Sequence, residues 1–394
     1  MRNIVVSETL SNKIESSQSM LSASRDEFSD RITPGEWVQL KTKNFSYLAY
    51  GYPQGDKNIA LRVCTKLDGE KNLELNKIIG DKLQNACERR EITIGSDSFC
   101  RIVYGQSDEL PGLIIDRYKD LNLIEINTFG MWNIIENVKN FLKIRFPSSS
   151  SYVFVRDKYD EGLPVYENHF TPEEIVVEES GFRYIIPWNR IQKIGFYYDH
   201  RMNRLKLEQV LTRVNKEKIK LNNGLDLFCY HGSWGLSMLR AGVEKVELVD
   251  QADFDLMINA HMRGNGFEGK GTFTRGDVFQ FLENKIKMQK KFDVIVSDPP
   301  AFTKKREQKN QAIKGYDKLH EKCLTICSPK AIFVAASCTS YLTHNELDES
   351  VKKAAKRSGR EVRLIDIGLQ SPDHPFSSLN SSENYIKYLC YFVE

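Results

Sequence analysis

No stretch of the chain approaches the run of about 18 apolar residues that a membrane helix needs, so no spanning segment is expected. The first residues, Met1-Arg2-Asn3-Ile4-Val5-Val6, hold too few consecutive apolar side chains for a signal-peptide core. The early acids Glu8 and Glu15 argue against an organellar transit peptide. The 8 cysteines form no Cys-x-x-Cys pair, and the 7 histidines meet no cysteine at metal-ligand spacing. Reduced thiols in a cytoplasmic protein and no metal site are therefore expected. Charge of one sign is also missing, because 56 Lys and Arg against 53 Asp and Glu leave only +3. That balance excludes a polybasic tail or an acidic disordered segment and admits a local basic groove. No fixed-period repeat is visible, and the Gly-x-Gly-x-x-Gly of dinucleotide enzymes is absent, which places a nicotinamide dehydrogenase last.

What is present is an ordinary globular composition, 41% hydrophobic over 394 residues, enough for two or three domains. Residues 1–30 are polar, Ser-rich and weakly periodic and read as partly ordered or as a short amphipathic lead-in. Short strand-like runs at 37–40, 47–50 and 59–64, split by Gly/Pro/Asn/Asp clusters, suggest a small β domain over 1–75. A helix at 72–95, strands at 99–105, 112–117, 121–127 and 152–156, a helix at 131–146 and a hairpin turning at Ser180-Gly181 suggest a central α+β domain over 76–188. From 189 to 394 strands at 224–229, 244–249, 292–297 and 331–337 alternate with helices, and strands at 361–367 and 384–393 close the chain. This texture predicts an α/β domain with a parallel sheet, whose ligands gather at the carboxyl ends of the strands.

Those strand ends carry the chemistry. The first runs through Asp226 and Phe228 into His231-Gly232-Ser233-Trp234-Gly235, where glycines let backbone approach a ligand. The second ends at Asp250, a carboxylate suited to the two hydroxyls of a ribose, or else a helix cap. Asp277, beside Gly276, is placed to meet an adenine amino group, though each of these acids taken separately is more often structural. Ser297-Asp298-Pro299-Pro300-Ala301-Phe302 ends a further strand, and its prolines stiffen the loop that presents Asp298. The next strand delivers Cys338 to the same edge; burial in the core is the ordinary fate of a cysteine, and Cys323 and Cys327 read that way on an apolar helical stripe. Lys304, Lys305, Arg306 and Lys309 follow the proline turn and suit phosphates. The basic stretch 201–220 suits phosphates and a solvated helix face equally.

In combination these residues are recognisable. Gln192-Lys193-Ile194-Gly195-Phe196-Tyr197-Tyr198-Asp199-His200-Arg201-Met202-Asn203-Arg204 resembles the Gln-Lys-Thr-Gly-Phe-Phe-x-Asp-x-Arg-x-Asn-Arg segment of the ribosomal RNA large-subunit cytosine-C5 methyltransferase family. The 226–235 turn, Asp298-Pro299-Pro300-Ala301-Phe302, Ser337-Cys338-Thr339, the 105–118 segment, His374-Pro375 and Tyr385-Ile386-Lys387 are similar to further motifs of that family, over about residues 33–394. The chain departs from it in lacking a Gly-His-Pro-Trp-type entry. Ser328-Pro329-Lys330-Ala331 stands where Pro-Gly-Gly is usual, and Asn380-Ser381-Ser382-Glu383 where Phe-Pro-Glu-Gly is usual.

The resemblance implies a Rossmann-like class I methyltransferase domain preceded by a small PUA-like β-barrel and a central α+β domain, with S-adenosyl-L-methionine as cofactor. It implies a methionine-binding turn at Asp226, Phe228 and Gly232, ribose and adenine contacts from Asp250 and Asp277, and a pocket wall from Tyr197, Asp199 and Arg201. Asp298 would stand between cofactor and base, and Cys338 would be the nucleophile. Pro299, Pro300, Phe302, Lys304, Lys305 and Arg306 would face the substrate. Ribosomal RNA is the implied partner, no membrane is involved, and a homodimer is admitted. Two other readings stay open: methylation of a purine or exocyclic nitrogen, which needs no thiol, and a non-catalytic RNA-binding assembly factor.

Overall fold

The computed structural model describes every residue except 17–18, 68–73, 96–98, 192–194, 218, 304–305 and 380–382. The chain forms two compact units, the first mainly Met1–Glu173 with Pro372–Pro375, the second Glu174–Ile191, Gly195–Ser371 and Phe376–Glu394.

In the first unit, β1 (Arg2–Val5), α1 (Glu8–Glu15), β2 (Met20–Ser24), β3 (Trp37–Lys41), β4 (Ser46–Gln54) and β5 (Asn58–Leu67) build a five-stranded sheet of order β1-β3-β4-β5-β2. The N-terminal segment is thus not a lead-in: β1 pairs in parallel with β3, β2 antiparallel with β5, and Ile4, Leu10 and Ile14 are buried in its core. A four-residue strand and a two-turn helix fall below the window in which periodicity can be read. Next come α2 (Leu75–Ile94), β6 (Cys100–Tyr104), β7 (Leu113–Tyr118), β8 (Leu121–Ile126), α3 (Phe129–Trp132), α4 (Ile135–Arg145) and β9 (Ser150–Val155), with the four strands in sheet order. The expected helix at 131–146 is two helices. The expected boundary at 75/76 is crossed by one core, in which Trp37, Leu48 and Tyr50 join Ile79, Leu83 and Ile115. Trp37 Nε1 donates to the carbonyl of Gly130 at 2.8 Å, and a Cβ on Gly130 would fall 2.3 Å from the Tyr50 ring.

The second unit begins with the hairpin β10 (Glu174–Glu179) and β11 (Phe182–Pro187). The domain boundary therefore falls near 174 rather than 189. There follow α5 (Arg201–Lys216), β12 (Asn223–Leu227), α6 (Ser233–Arg240), β13 (Lys245–Asp250), α7 (Asp255–Gly264), β14 (Gly271–Arg275), α8 (Val278–Lys287) and β15 (Phe292–Ser297). The chain closes with α9 (Lys309–Thr325), β16 (Cys327–Ser337), α10 (His344–Ser358), β17 (Val362–Gly368) and β18 (Lys387–Val393). His261 of α7 bonds Ile185 and Glu179 pairs with Arg204 of α5, which ties the hairpin into this unit.

The seven strands run in the order β14-β13-β12-β15-β16-β18-β17. The first five are parallel, and β18 is antiparallel to both its neighbours. Buried Leu225, Leu227, Ile295 and Phe333 in the central strands follow from helices on both faces of a parallel sheet. Helix α10 starts with a reciprocal Thr343/Glu346 capping box and ends at Gly359 in the left-handed region. Cys323 lies on α9 as expected, whereas Cys327 opens β16; both are fully buried.

Candidate active site

Strand β12 leads into a turn with three left-handed residues, Phe228 (φ 62), Tyr230 (φ 44) and Gly232 (φ 76), of which only the last avoids a Cβ penalty. Such strain persists only where surrounding contacts over-determine it, and it gathers at functional sites. Here Asp226 Oδ2 accepts from Gly235 N at 2.9 Å, and Asp250 Oδ2 accepts from Tyr230 N at 3.1 Å. A Cβ on Gly232 would meet Leu248 at 2.9 Å, so the backbone lies tight on β13.

Asp226 is 0% exposed, and its Oδ1 has no hydrogen-bond partner among the described residues. Burial raises its carboxyl well above the usual range, the Gly235 N–H opposing and Asp298 and Asp250 adding to the rise. Asp250 is half-buried, and its Oδ1 also accepts from Ala252 N at 3.0 Å. It caps no helix, because α7 starts at Asp255 after Phe254. Asp277 is the opposite case: exposed, it caps α8 by accepting from Gln280 N at 2.9 Å. Gly276 N donates to the Asp250 carbonyl at 2.9 Å and so holds this turn beside Asp250.

Asp298 follows β15 with its side chain 21% exposed. Trp234 Nε1 donates to its Oδ2 at 3.0 Å, and His200 Nε2 stands 3.6 Å from its Oδ1. Trp234 stacks on Tyr388 at 6.0 Å and lies 5.4 Å from the His200 ring, so aromatic packing fixes the indole that orients the carboxylate. Pro299 is buried, Pro300 exposed, and Phe302 leans on Tyr316 with centroids 4.6 Å apart. Phe302 is half-buried and packs against the core cluster through Tyr316. Arg306 is exposed; Lys304 and Lys305 lie outside the described residues.

Of the eight cysteines, seven are buried and Cys338 alone is half-buried. Its Sγ lies 3.8 Å from the carbonyl of Pro299, which puts the thiol against the loop that carries Asp298. The strand end is braced by Tyr316, whose hydroxyl shares hydrogen bonds with Ser337 Oγ at 2.8 Å and Thr339 Oγ1 at 3.0 Å. Tyr197 is held at high pKa by burial first, and further by Tyr230, Asp199, Cys338 and Asp298, which shows these groups converging. Asp199 accepts from the Tyr385 hydroxyl at 2.8 Å, and Arg201, 4% exposed, lies over the Tyr198 ring at 4.9 Å. Arg204 pairs with Glu179 at 3.0 Å and Lys206 with Asp366 at 3.0 Å. The first half of the basic stretch is therefore structural.

Sequence reasoning passed over Trp234, His200 and Tyr316. Trp234 follows the glycine turn directly, but nothing local says that its N–H will find a carboxylate 64 positions later. Among the described residues there is no group of three or more potential metal ligands and no helix long and apolar enough to cross a membrane.

A strand order with one antiparallel strand next to the last position, and acids at the ends of β12, β13 and β15, define a class I S-adenosylmethionine-dependent methyltransferase fold. Comparison with known proteins agrees. Over its full length the chain superposes on a candidate SAM-dependent methyltransferase from Streptococcus mutans (TM-score 0.75, 18% identity, 100% of both chains). It superposes equally on a candidate methyltransferase solved with SAH (TM-score 0.78, 19% identity, 100% of both chains). Residues 206–350 match the family model described as Conserved hypothetical protein 95. The ribosomal RNA large subunit methyltransferase I of Aeromonas hydrophila is 30% identical over 370 residues, 90% of each chain. That of Tolumonas auensis is 30% identical over 378 residues, 92% of each. The chain belongs to the ribosomal RNA large subunit methyltransferase I family.

The residues present fit S-adenosylmethionine. The unpartnered Oδ1 of buried Asp226 and the close-lying Gly232 backbone offer an acceptor and room at the turn, and both oxygens of Asp250 keep lone pairs for further donors.

Proposed function

We propose that the protein methylates C5 of a cytosine in large-subunit ribosomal RNA, with Cys338 as the attacking thiol. The observation that carries this reading is the exposure of Cys338, alone among eight cysteines, against the Pro299 carbonyl of the Asp298 loop. Asp226, Phe228 and Gly232 would hold the methionine end of the cofactor, Asp250 the ribose and Asp277 the adenine edge, with Tyr197, Asp199 and Arg201 shaping the wall behind them. S-adenosylmethionine, when bound, supplies an electrophilic methyl group on a sulfonium.

C5 of cytosine is a poor nucleophile until C6 is saturated. The Cys338 thiolate forms an S–C6 bond and pushes the C5–C6 π pair onto C5, making it enamine-like. Asp298, fixed by the Trp234 N–H, hydrogen-bonds the N3/N4 edge and favours that adduct. Loss of the C5 proton later re-forms the double bond and returns the S–C6 pair to the thiolate. A base stacked in a helix cannot present its C6 face to a thiol, so the target is single-stranded or extruded RNA. Pro300 and Arg306 are exposed on the loop and would face the RNA, with Lys304 and Lys305 between them in sequence. The five-stranded sheet of the first unit is read as the PUA-like RNA-docking element.

Labelled S-adenosylmethionine, ribosomal RNA and nucleoside analysis test the proposal. Recovery of 5-methylcytidine, with C338A lowering turnover by at least about 10³-fold, is the expected result. Methylated guanosine, or full activity in C338A, would transfer the assignment to a nitrogen methyltransferase.

A further inference from the structure

Lys387 opens β18 and is 2% exposed. An ammonium has three donors and no acceptor. Its Nζ donates to the carbonyls of Thr339 at 3.0 Å, Tyr385 at 3.1 Å and Asn384 at 3.3 Å, so each donor has a backbone partner. A buried cation held by carbonyl dipoles rather than by a carboxylate is costly and is retained where its charge has a use. Thr339 directly follows Cys338, and Ser337 directly precedes it and pairs with Lys387 across the β16–β18 ladder.

The titratable groups that face Lys387 come from three elements. They are Cys338 at the end of β16, His344 and Glu346 on α10, and Lys309 on α9. Glu346 already pairs with Lys309 at 2.6 Å, and His344 shares a hydrogen bond with the Gly368 carbonyl at 3.2 Å. Burial pulls the Lys387 ammonium down to about 8; Cys338 and Glu346 oppose the fall and Lys309 adds to it. The group therefore remains largely charged at neutral pH, next to the thiol.

We propose that Lys387 is a positioning residue for the nucleophile, which fixes the Cys338-Thr339 turn through the Thr339 carbonyl and stabilises the Cys338 thiolate by its charge. Its three donors are engaged by carbonyls, so it acts through its field and does not carry the proton removed from C5. The inference deepens the reading of Cys338 as the attacking thiol and rests on it.

The test is the pH dependence of Cys338 alkylation by iodoacetamide, followed by peptide mass on the full chain without RNA or cofactor. The seven buried cysteines make the modification selective. In the wild type the rate should titrate below the ordinary thiol midpoint of about 8.5. In K387M the midpoint should rise by about one unit, slowing the reaction at pH 7 by about tenfold, and K387R should recover part of the shift. An ordinary midpoint in the wild type overturns the proposal, as does an unchanged midpoint in K387M with native circular dichroism and melting. Should K387M fail to fold, the wild-type midpoint alone decides. Failure of the cytosine-C5 reading is recognised separately, by methylated guanosine in place of 5-methylcytidine in the nucleoside analysis of the wild type.

Discussion

Asp226 holds a buried carboxylate with one oxygen on the Gly235 N–H and the other without a protein partner. Leaving such a group buried costs about 1–3 kcal/mol, a cost that a ligand donor would relieve. Asp226→Asn keeps an oxygen for Gly235 and removes the charge. It should raise the melting temperature of the cofactor-free protein and weaken S-adenosylmethionine binding by an order of magnitude or more, as read by calorimetry. Equal melting with unchanged binding would dissociate Asp226 from the cofactor. Lys330 shows what the sequence could and could not say. The chain departs from the Pro-Gly-Gly pattern there, yet the backbone keeps a left-handed conformation with φ 62 on a lysine. Lys330→Gly should relieve that strain and stabilise the fold by up to about 1 kcal/mol in urea unfolding, since the left-handed penalty of ~1–2 kcal/mol exceeds the added chain entropy of glycine. At this scale the acids and the thiol were legible because each ends a strand. Their orienting partners Trp234, His200 and Tyr316 were not, because those contacts span 20 to 100 positions and no local pattern encodes them.

The long helices α2, α9 and α10 and the buried central strands could be read from periodicity and capping alone, whereas α5 and α8 were not assigned. The α10 capping box is one such signal, and Thr343→Ala should cost about 1 kcal/mol in denaturant unfolding. By contrast β1 and α1 escaped, being short and flanked by polar residues. The packing of α9 on α10 carries a pH signature. His320 of α9 is 0% exposed, shares a hydrogen bond with Ser350 Oγ at 3.0 Å and is pushed by burial down to about 3. The unfolded chain binds a proton near pH 6.5 that the folded chain refuses until about 3. Stability from this group is therefore fully present above 6.5 and is lost as pH falls through that window, by about 1.4 kcal/mol per unit. His320→Gln should flatten the acid limb of unfolding free energy against pH; an unaltered slope would assign the sensitivity to other groups, such as buried His231.

Two compact units in one chain make a single unfolding free energy a poor description of the molecule. Scanning calorimetry should resolve more than one transition. S-adenosylmethionine at about 100 times its dissociation constant should stabilise the unit that contains residues 195–371 by about 2.7 kcal/mol and leave the other transition in place. A single transition that shifts as a whole would show the units melting together. The division into units was less legible than the motifs. The hairpin Glu174–Glu179 and Phe182–Pro187 precedes the texture change at 189, and only its bonds to His261 and Arg204 reveal its allegiance.

The placement of β18 between β16 and β17 also constrains how the molecule is made. During vectorial synthesis the ribosome delivers β16 some fifty residues before the strand that covers its flank, since Ser337 pairs with Lys387. Until then a nascent chain shows an uncovered row of amides and carbonyls beside Ile332, Phe333 and Val334, a template for mispairing. Prematurely terminated chains should therefore aggregate rather than persist as half-folded fragments, and the Cys338 strand end is not framed until translation reaches β18.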